Sequence, residues 1–316
     1  MSDIHSKTKE RENALLSFCF FLFIFLFLLK NPKLASEAIT DSLRLCVNKV
    51  IPSLFPMSVL CGILMKSSFP FYAEKVLSRP MKKVFSLSGA AALPFAVGCL
   101  SGYPLGVKCA AELYENGVIG KEETERVICF SNNAGPGFVI LTVGITFFHS
   151  LRIGFLLYTA QLSAAILIGL FFRKKKIETK ECPSRCETLP FGEAITLSIR
   201  ESAQNTLFLS AFVVFFSLIG RILSLFFLRL SLPESFSSLI IGFFEITGGI
   251  DSASSLGRTG IPIAAFLIGW SSLSVHMQSS LFIIKNRLNF RRYLSAKLTQ
   301  GILTMLLTSA FLAIKG

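Results

Sequence analysis

Little in this chain is suited to catalysis. It has no His-x-x-x-His pair, no Gly-x-Ser-x-Gly elbow and no phosphate-binding loop, which removes the common zinc, serine-hydrolase and nucleotide-hydrolysing patterns. Only three His are present, and Ser271 or Ser274 with His276 is the sole sequence-adjacent nucleophile and base; no enzyme is expected. Acids are scarce too: 19 Asp and Glu stand against 32 Lys and Arg, a net charge of +13. The excess lies between apolar runs without a recurring basic–aromatic pattern, so nucleic-acid binding is not expected. The positive-inside rule accounts for it, with anionic lipid or an anionic solute as alternatives. Six of the eight Cys (Cys19, Cys46, Cys61, Cys99, Cys109 and Cys129) fall in apolar or helical stretches and read as small hydrophobes. Cys182 and Cys186 form a pair without a nearby His, too few ligands for zinc. No metal or cofactor is expected, and a coupling ion is left unspecified.

What is present is apolar length. Hydrophobic residues make up 52% of the 316, 32 of them Phe, and the mean hydropathy is +0.62. Repeated runs of membrane length predict an all-α polytopic membrane protein in contact with the lipid bilayer, multi-pass in the cell membrane. A polar tail and one apolar span, read as uncleaved, occupy 1–33. A first repeat fills 34–172, a basic linker 173–190, and a second repeat 191–316. Glu37 to Met65 is expected as a helix kinked at Pro52 and Pro56, and Val84 to Leu100 as one arm of a re-entrant hairpin.

Between Leu100 and Phe138 the apolar pattern breaks twice. Ser101-Gly102-Tyr103-Pro104 is the expected hairpin tip, followed by Lys108; Ser131-Asn132-Asn133-Ala134-Gly135-Pro136 interrupts a crossing. Gly and Pro open the helical hydrogen-bond ladder, and freed backbone groups are tolerated at membrane depth only against protein or a watery cavity. Such breaks point to a solute site of the transporter kind. A Lys at that depth costs roughly 2.5–3.5 kcal/mol, so Lys108 is a candidate for capturing an anion, or else it pairs with Glu112 one turn on. Asn132 and Asn133 offer donors and acceptors to a solute or cap the next helix. Glu245 and Thr247, in an otherwise apolar run, are candidates for a proton or cation site, a partner for Lys108, or an interfacial Glu. His276 and Gln278 follow a third break at Trp270-Ser271-Ser272, where His276 is a candidate for titration or a structural His.

The pattern also restarts. Glu193-Ala194-Ile195-Thr196-Leu197-Ser198-Ile199-Arg200 matches Glu37-Ala38-Ile39-Thr40-Asp41-Ser42-Leu43-Arg44 at six of eight positions. Looser matches follow at Glu245 to Gly249 and at Gly269 to Gln278, which predicts an internal duplication. Placing the basic loop at 66–83 and the basic linker inside makes the two halves inverted, with two re-entrant hairpins, broken helices and about seven crossings. Lys285, Arg287, Arg291 and Arg292 then fall inside, whereas Arg221 and Arg229 fall outside.

Ser101 to Gly106 with Lys108, and Phe130 to Asn133 with Gly135-Pro136, resemble the YlbJ-type sporulation integral membrane proteins. Glu245-Ile246-Thr247 with Gly249, and Ser274-Val275-His276 with Gln278, fit the same family, and the likeness covers most of 37–314. It implies "nucleoside recognition" or Gate segments, as in concentrative nucleoside transporters and ferrous-iron transporters. It further implies a role in endospore formation at the mother-cell-derived outer forespore membrane, and movement of dipicolinate, a small aromatic dicarboxylate, toward the forespore. The residues expected to contact solute are Ser101, Gly102, Tyr103, Lys108, Asn132, Asn133, Glu245, Thr247, Gly249, Ser274, His276 and Gln278. The expected function is a carrier of a small organic anion, with a nucleoside transporter or a non-transporting membrane scaffold as alternatives. A homo-oligomer is left open.

Overall fold

The computed structural model describes residues 2–173, 188–228 and 233–314; Cys182, Cys186, Arg229 and most of the basic linker lie outside them. Among the described residues the chain is an all-α polytopic membrane protein without strands. Helices Leu151–Phe171, Phe191–Leu225, Gly257–Lys285 and Phe290–Ile314 are each long and apolar enough to cross a bilayer. Counting each bent pair, Ala14–Lys30 with Pro32–Asn48 and Lys75–Phe85 with Gly89–Ser101, as one span gives up to six, a bent pair being either a broken span or a re-entrant loop. The sequence-based expectation of about seven counted 37–65 and 121–148 each as one crossing. In the structure the latter is divided into the helices Lys121–Ser131 and Gly137–Phe147, each too short to cross alone.

Helix α1 (Ser2–Lys30) turns at Asn31 into α2 (Pro32–Leu45) through 102°. Pro32 suits the first turn of α2, where a missing N–H costs nothing. Ile24, Phe27 and Leu28 pack on Ala35, Ala38, Leu218 and Ile222, whereas Leu15, Phe18, Phe21 and Phe23 are exposed, as a lipid-facing surface requires. The expected kinks at Pro52 and Pro56 take another form. A π-helical turn, Cys46–Val50, precedes α3 (Ile51–Met65), and widening the coil there makes room for the Pro52 ring against the preceding carbonyls.

Helix α4 (Phe69–Pro80) and a π-helical turn, Met81–Phe85, end at Ser86, whose φ of 53° reverses the chain. The hairpin arm therefore begins later than Val84. Its helix is α5 (Ala92–Ser101), and a bend of 94° separates it from what precedes. The buried side chains of Arg126 and Glu123 hold this corner. Arg126 donates to the carbonyls of Phe85 (2.6 Å) and Ser86 (3.3 Å), and Glu123 accepts from Ser88 N at 2.5 Å. The hairpin closes with α6 (Leu105–Glu115). Then come α7 (Lys121–Ser131), a break, the π-helical segment Gly137–Phe147 and α8 (Leu151–Phe171).

The second half presents the same order. Long α9 (Phe191–Leu228) is followed by the hairpin α10 (Glu234–Phe244) and α11 (Ile246–Ser254). The broken pair α12 (Gly260–Trp270) and α13 (Ser272–Lys285) leads to α14 (Phe290–Ile314). The opening helices of the two halves run antiparallel. Lys66 at the end of α3 pairs with Glu201 early in α9 (2.7 Å), while Asp41 and Ser42 late in α2, before α3, share a pocket with Arg221 and Ser224 late in α9. Polar contacts gather the charged turns: Lys285 with Glu115 at 2.9 Å, Arg292 with Glu122 at 3.2 Å, and Arg173 Nε with Ser86 Oγ at 3.0 Å.

Candidate functional site

Both hairpin tips reach one small cavity. The first tip turns at Gly102, whose φ of 85° lies where a side chain is strained, and the Tyr103–Pro104 peptide is cis. Gly102 packs on the broken helix so closely that an added Cβ would stand 2.9 Å from Gly135 N. The second tip turns at Glu245, in extended conformation, and its buried carboxylate caps α11. The carboxylate accepts from Thr247 N (2.8 Å), Gly248 N (2.6 Å) and Ser217 Oγ (3.4 Å). A carboxylate placed on the unpaired N–H groups of a helix start satisfies both the donors and the dipole.

Gly102, Tyr103, Glu245, Thr247, Ser274 and Gln278 line this cavity, which has about 20 Å³ of free volume, space for about one water molecule. Each tip also borders a wider pocket. Ser101 lines a space of about 260 Å³ with Lys66, Lys108, Glu112 and Glu201. Gly248 lines one of about 560 Å³ with Asp41, Arg221, Asp251 and Ser255.

Beside the cavity, the first break is held by a buried polar network. Asn132 Nδ2 donates to Tyr293 Oη (2.6 Å) and Ser279 Oγ (3.1 Å). Asn133 donates to Phe130 O at 2.8 Å, and its Oδ1 accepts from Gln300 Nε2 at 2.8 Å. Gln161 from α8 makes a reciprocal pair with the backbone of Ala134, donating at 3.0 Å and accepting at 3.2 Å. Lys297 Nζ donates to Asn132 O (2.6 Å) and Gln300 Oε1 (2.8 Å). At the facing break, Ser271 and Ser272 have φ of 78° and 69°. Two successive left-handed non-glycine residues store strain of about 1–3 kcal/mol each, of the kind that persists at functional sites. His276 meets Tyr293 Oη through Nδ1 at 3.0 Å and lies edge-on to Trp270, ring centroids 4.3 Å apart.

The geometry sorts the expected residues into groups. Gly102, Tyr103, Glu245, Thr247, Ser274 and Gln278 meet at the cavity, Ser101 stands on its other side, and Asn132, Asn133 and His276 form the adjoining network. Gly249 instead packs against Gly242 across the second hairpin. Lys108 is drawn to Glu112 (3.7 Å) in the wider pocket, so Glu245, occupied in capping, does not partner it. Gln161, Tyr293, Lys297 and Gln300 escaped the sequence reading. The signal for three of them was present: Tyr293, Lys297, Gln300, Thr304 and Thr308 recur every three or four residues and mark a polar stripe on one face of α14.

No family model and no solved structure matches the chain. A curated Bacillus subtilis (strain 168) protein, the sporulation integral membrane protein YlbJ, is 27% identical over 92% of this chain and 80% of its own length. Similarity across nearly the whole of a helical membrane chain supports assigning it to the family of YlbJ-type sporulation integral membrane proteins.

Proposed function

We propose that this protein is a secondary carrier of a small organic anion, acting in sporulation and built as an inverted repeat. The observation that carries the reading is the convergence of both hairpin tips on one small cavity, each tip also bordering a wider polar pocket. Carriers of the inverted-repeat kind bind solute between discontinuous helices and expose it alternately to either side. The antiparallel opening helices of the two halves support such a layout. Solute sites have volumes of about 300–1,000 Å³, so the cavity described here belongs to a closed form that a hairpin must leave for solute to enter.

Dipicolinate, to which the family resemblance points, is the first solute to test, and the outer forespore membrane is the proposed location. In proteoliposomes the wild-type protein is expected to take up labelled dipicolinate in a saturable way. Asn132→Ala should lower uptake at least tenfold while remaining inserted. A scaffold would give no uptake with either protein, and a nucleoside carrier would reveal itself by uridine displacing dipicolinate.

A further inference from the structure

Among the described residues, Lys297 is a fully buried cation that no carboxylate pairs with. Its ammonium donates to two neutral oxygens, Asn132 O and Gln300 Oε1, which leaves one of its three N–H groups without a partner. An isolated charge in a protein interior is strongly unfavourable unless an opposite charge joins it. The other cations near the breaks stand in different settings. Lys108 has Glu112 and access to solvent, and Arg126 donates to two backbone carbonyls at the Ser86 corner, its Nε alone being unpartnered.

The network around Lys297 offers donors in the same condition. Tyr293 Oη accepts from Asn132 Nδ2 and shares a hydrogen bond with His276 Nδ1, 3.0 Å away. In the neutral tautomer that accepts the Tyr293 proton at Nδ1, the imidazole carries its hydrogen on Nε2. His276 Nε2, Gln278 Nε2 and the hydroxyls of Ser271 and Ser272 are all buried and unpartnered. Lys297 is joined to His276 through Asn132 and Tyr293, and unpaired buried donors at the facing break together with an uncompensated ammonium are matched to an acceptor-rich anion.

We propose that Lys297, rather than Lys108, is the counter-charge for a carboxylate of the transported solute, with the unpaired donors at the facing break holding its remaining oxygens. This deepens the carrier reading and rests on it for the word "transported". The binding itself is measurable without flux, because the single Trp, Trp270, lies against His276 and its fluorescence reports ligand there.

Pyridine-2,6-dicarboxylate and its uncharged diamide are titrated against the purified protein in detergent. The wild type should bind the dicarboxylate more tightly. Lys297→Gln should lose roughly tenfold to a hundredfold in dicarboxylate affinity and leave diamide affinity unchanged. Lys108→Met should keep the wild-type preference. Equal wild-type binding of the two compounds, no wild-type binding, or a preference that survives Lys297→Gln overturns the proposal. Loss of the preference in Lys108→Met also overturns it, an outcome that stands even if Lys297→Gln fails to assemble. Preferential binding without uptake in proteoliposomes sinks the carrier reading and leaves the Lys297 site standing.

Discussion

At the scale of single residues, the interior is decided by which polar groups find partners. Asn132 bridges the first break to α13 and α14 through Ser279 and Tyr293. Asn132→Ala leaves buried acceptors without their donor and should lower stability by about 1–3 kcal/mol, read as a fall in the thermal midpoint in detergent. An unchanged midpoint would mean that the bonds are replaceable. Lys108, half-exposed beside Glu112, should change uptake by less than about threefold when replaced by Met, since such pairs contribute little. The Lys108–Glu112 pairing was legible from spacing alone, because residues four apart share a helix face. Lys297 escapes notice despite its place in the polar stripe of α14, because its partner Asn132 lies 165 positions away and the final span reads as ordinary when scanned for apolar length. In the sequence Glu245 reads as an ion site, a partner for Lys108 or an interfacial acid, and its capping of α11 emerges only from the fold.

At the scale of elements, each hairpin closes on a pair of glycines. Gly98 and Gly106 face each other and both approach the Ser131 carbonyl, where an added Cβ would stand 1.6 Å and 2.1 Å away. In the second half Gly249 closes on Gly242, with a Cβ on Gly249 2.0 Å from Gly242 Cα, while Gly242 itself faces the Leu267 side chain. The obstacles at Gly106 and Gly249 are backbone atoms, which cannot rotate aside. Gly106→Ala and Gly249→Ala should therefore each cost about 3 kcal/mol or more, measured by thermal unfolding, whereas Gly120→Ala, with open space around it, should not. Both tips and both breaks were readable from Gly, Pro, Asn and Ser interrupting apolar runs. The corner at Ser86 was not, because an ordinary serine adopts φ of 53° there under the hold of Arg126, distant in sequence. The π-helical Gly137–Phe147 was equally silent, its residues being as apolar as any α-helical span.

At the scale of the molecule, one cluster of charged turns joins the halves. Glu115 accepts from Asn286 Nδ2 (2.8 Å) and pairs with Lys285 (2.9 Å). The Asn286 bond first, then Lys285, holds its carboxyl below the ordinary value of 4.5. A carboxylate depressed in the folded state stabilises above its unfolded value, and that contribution fades as pH falls through the folded one. The gap in thermal midpoint between wild type and Glu115→Gln should thus be largest above about pH 5 and close on further acidification; a constant gap would contradict this. The inverted layout is checked by single cysteines in a Cys-free background. Asn116→Cys and Ser255→Cys should react with an impermeant thiol reagent from opposite sides of the membrane, and labelling from the same side would end the inversion. An octet of matching residues is what suggests a repeat in the sequence, whereas contacts between the two parts of the chain depend on pairs such as Arg292 with Glu122 that no local pattern foretells. At the first hairpin, Ser101 faces the wide pocket and Gly102 the small one, so adjacent residues border the two. For a carrier, such adjacency would need no hinge of domain size: a shift comparable to the width of one peptide unit would bring the two spaces together, and the contact it would loosen is that of Gly102 with Gly135.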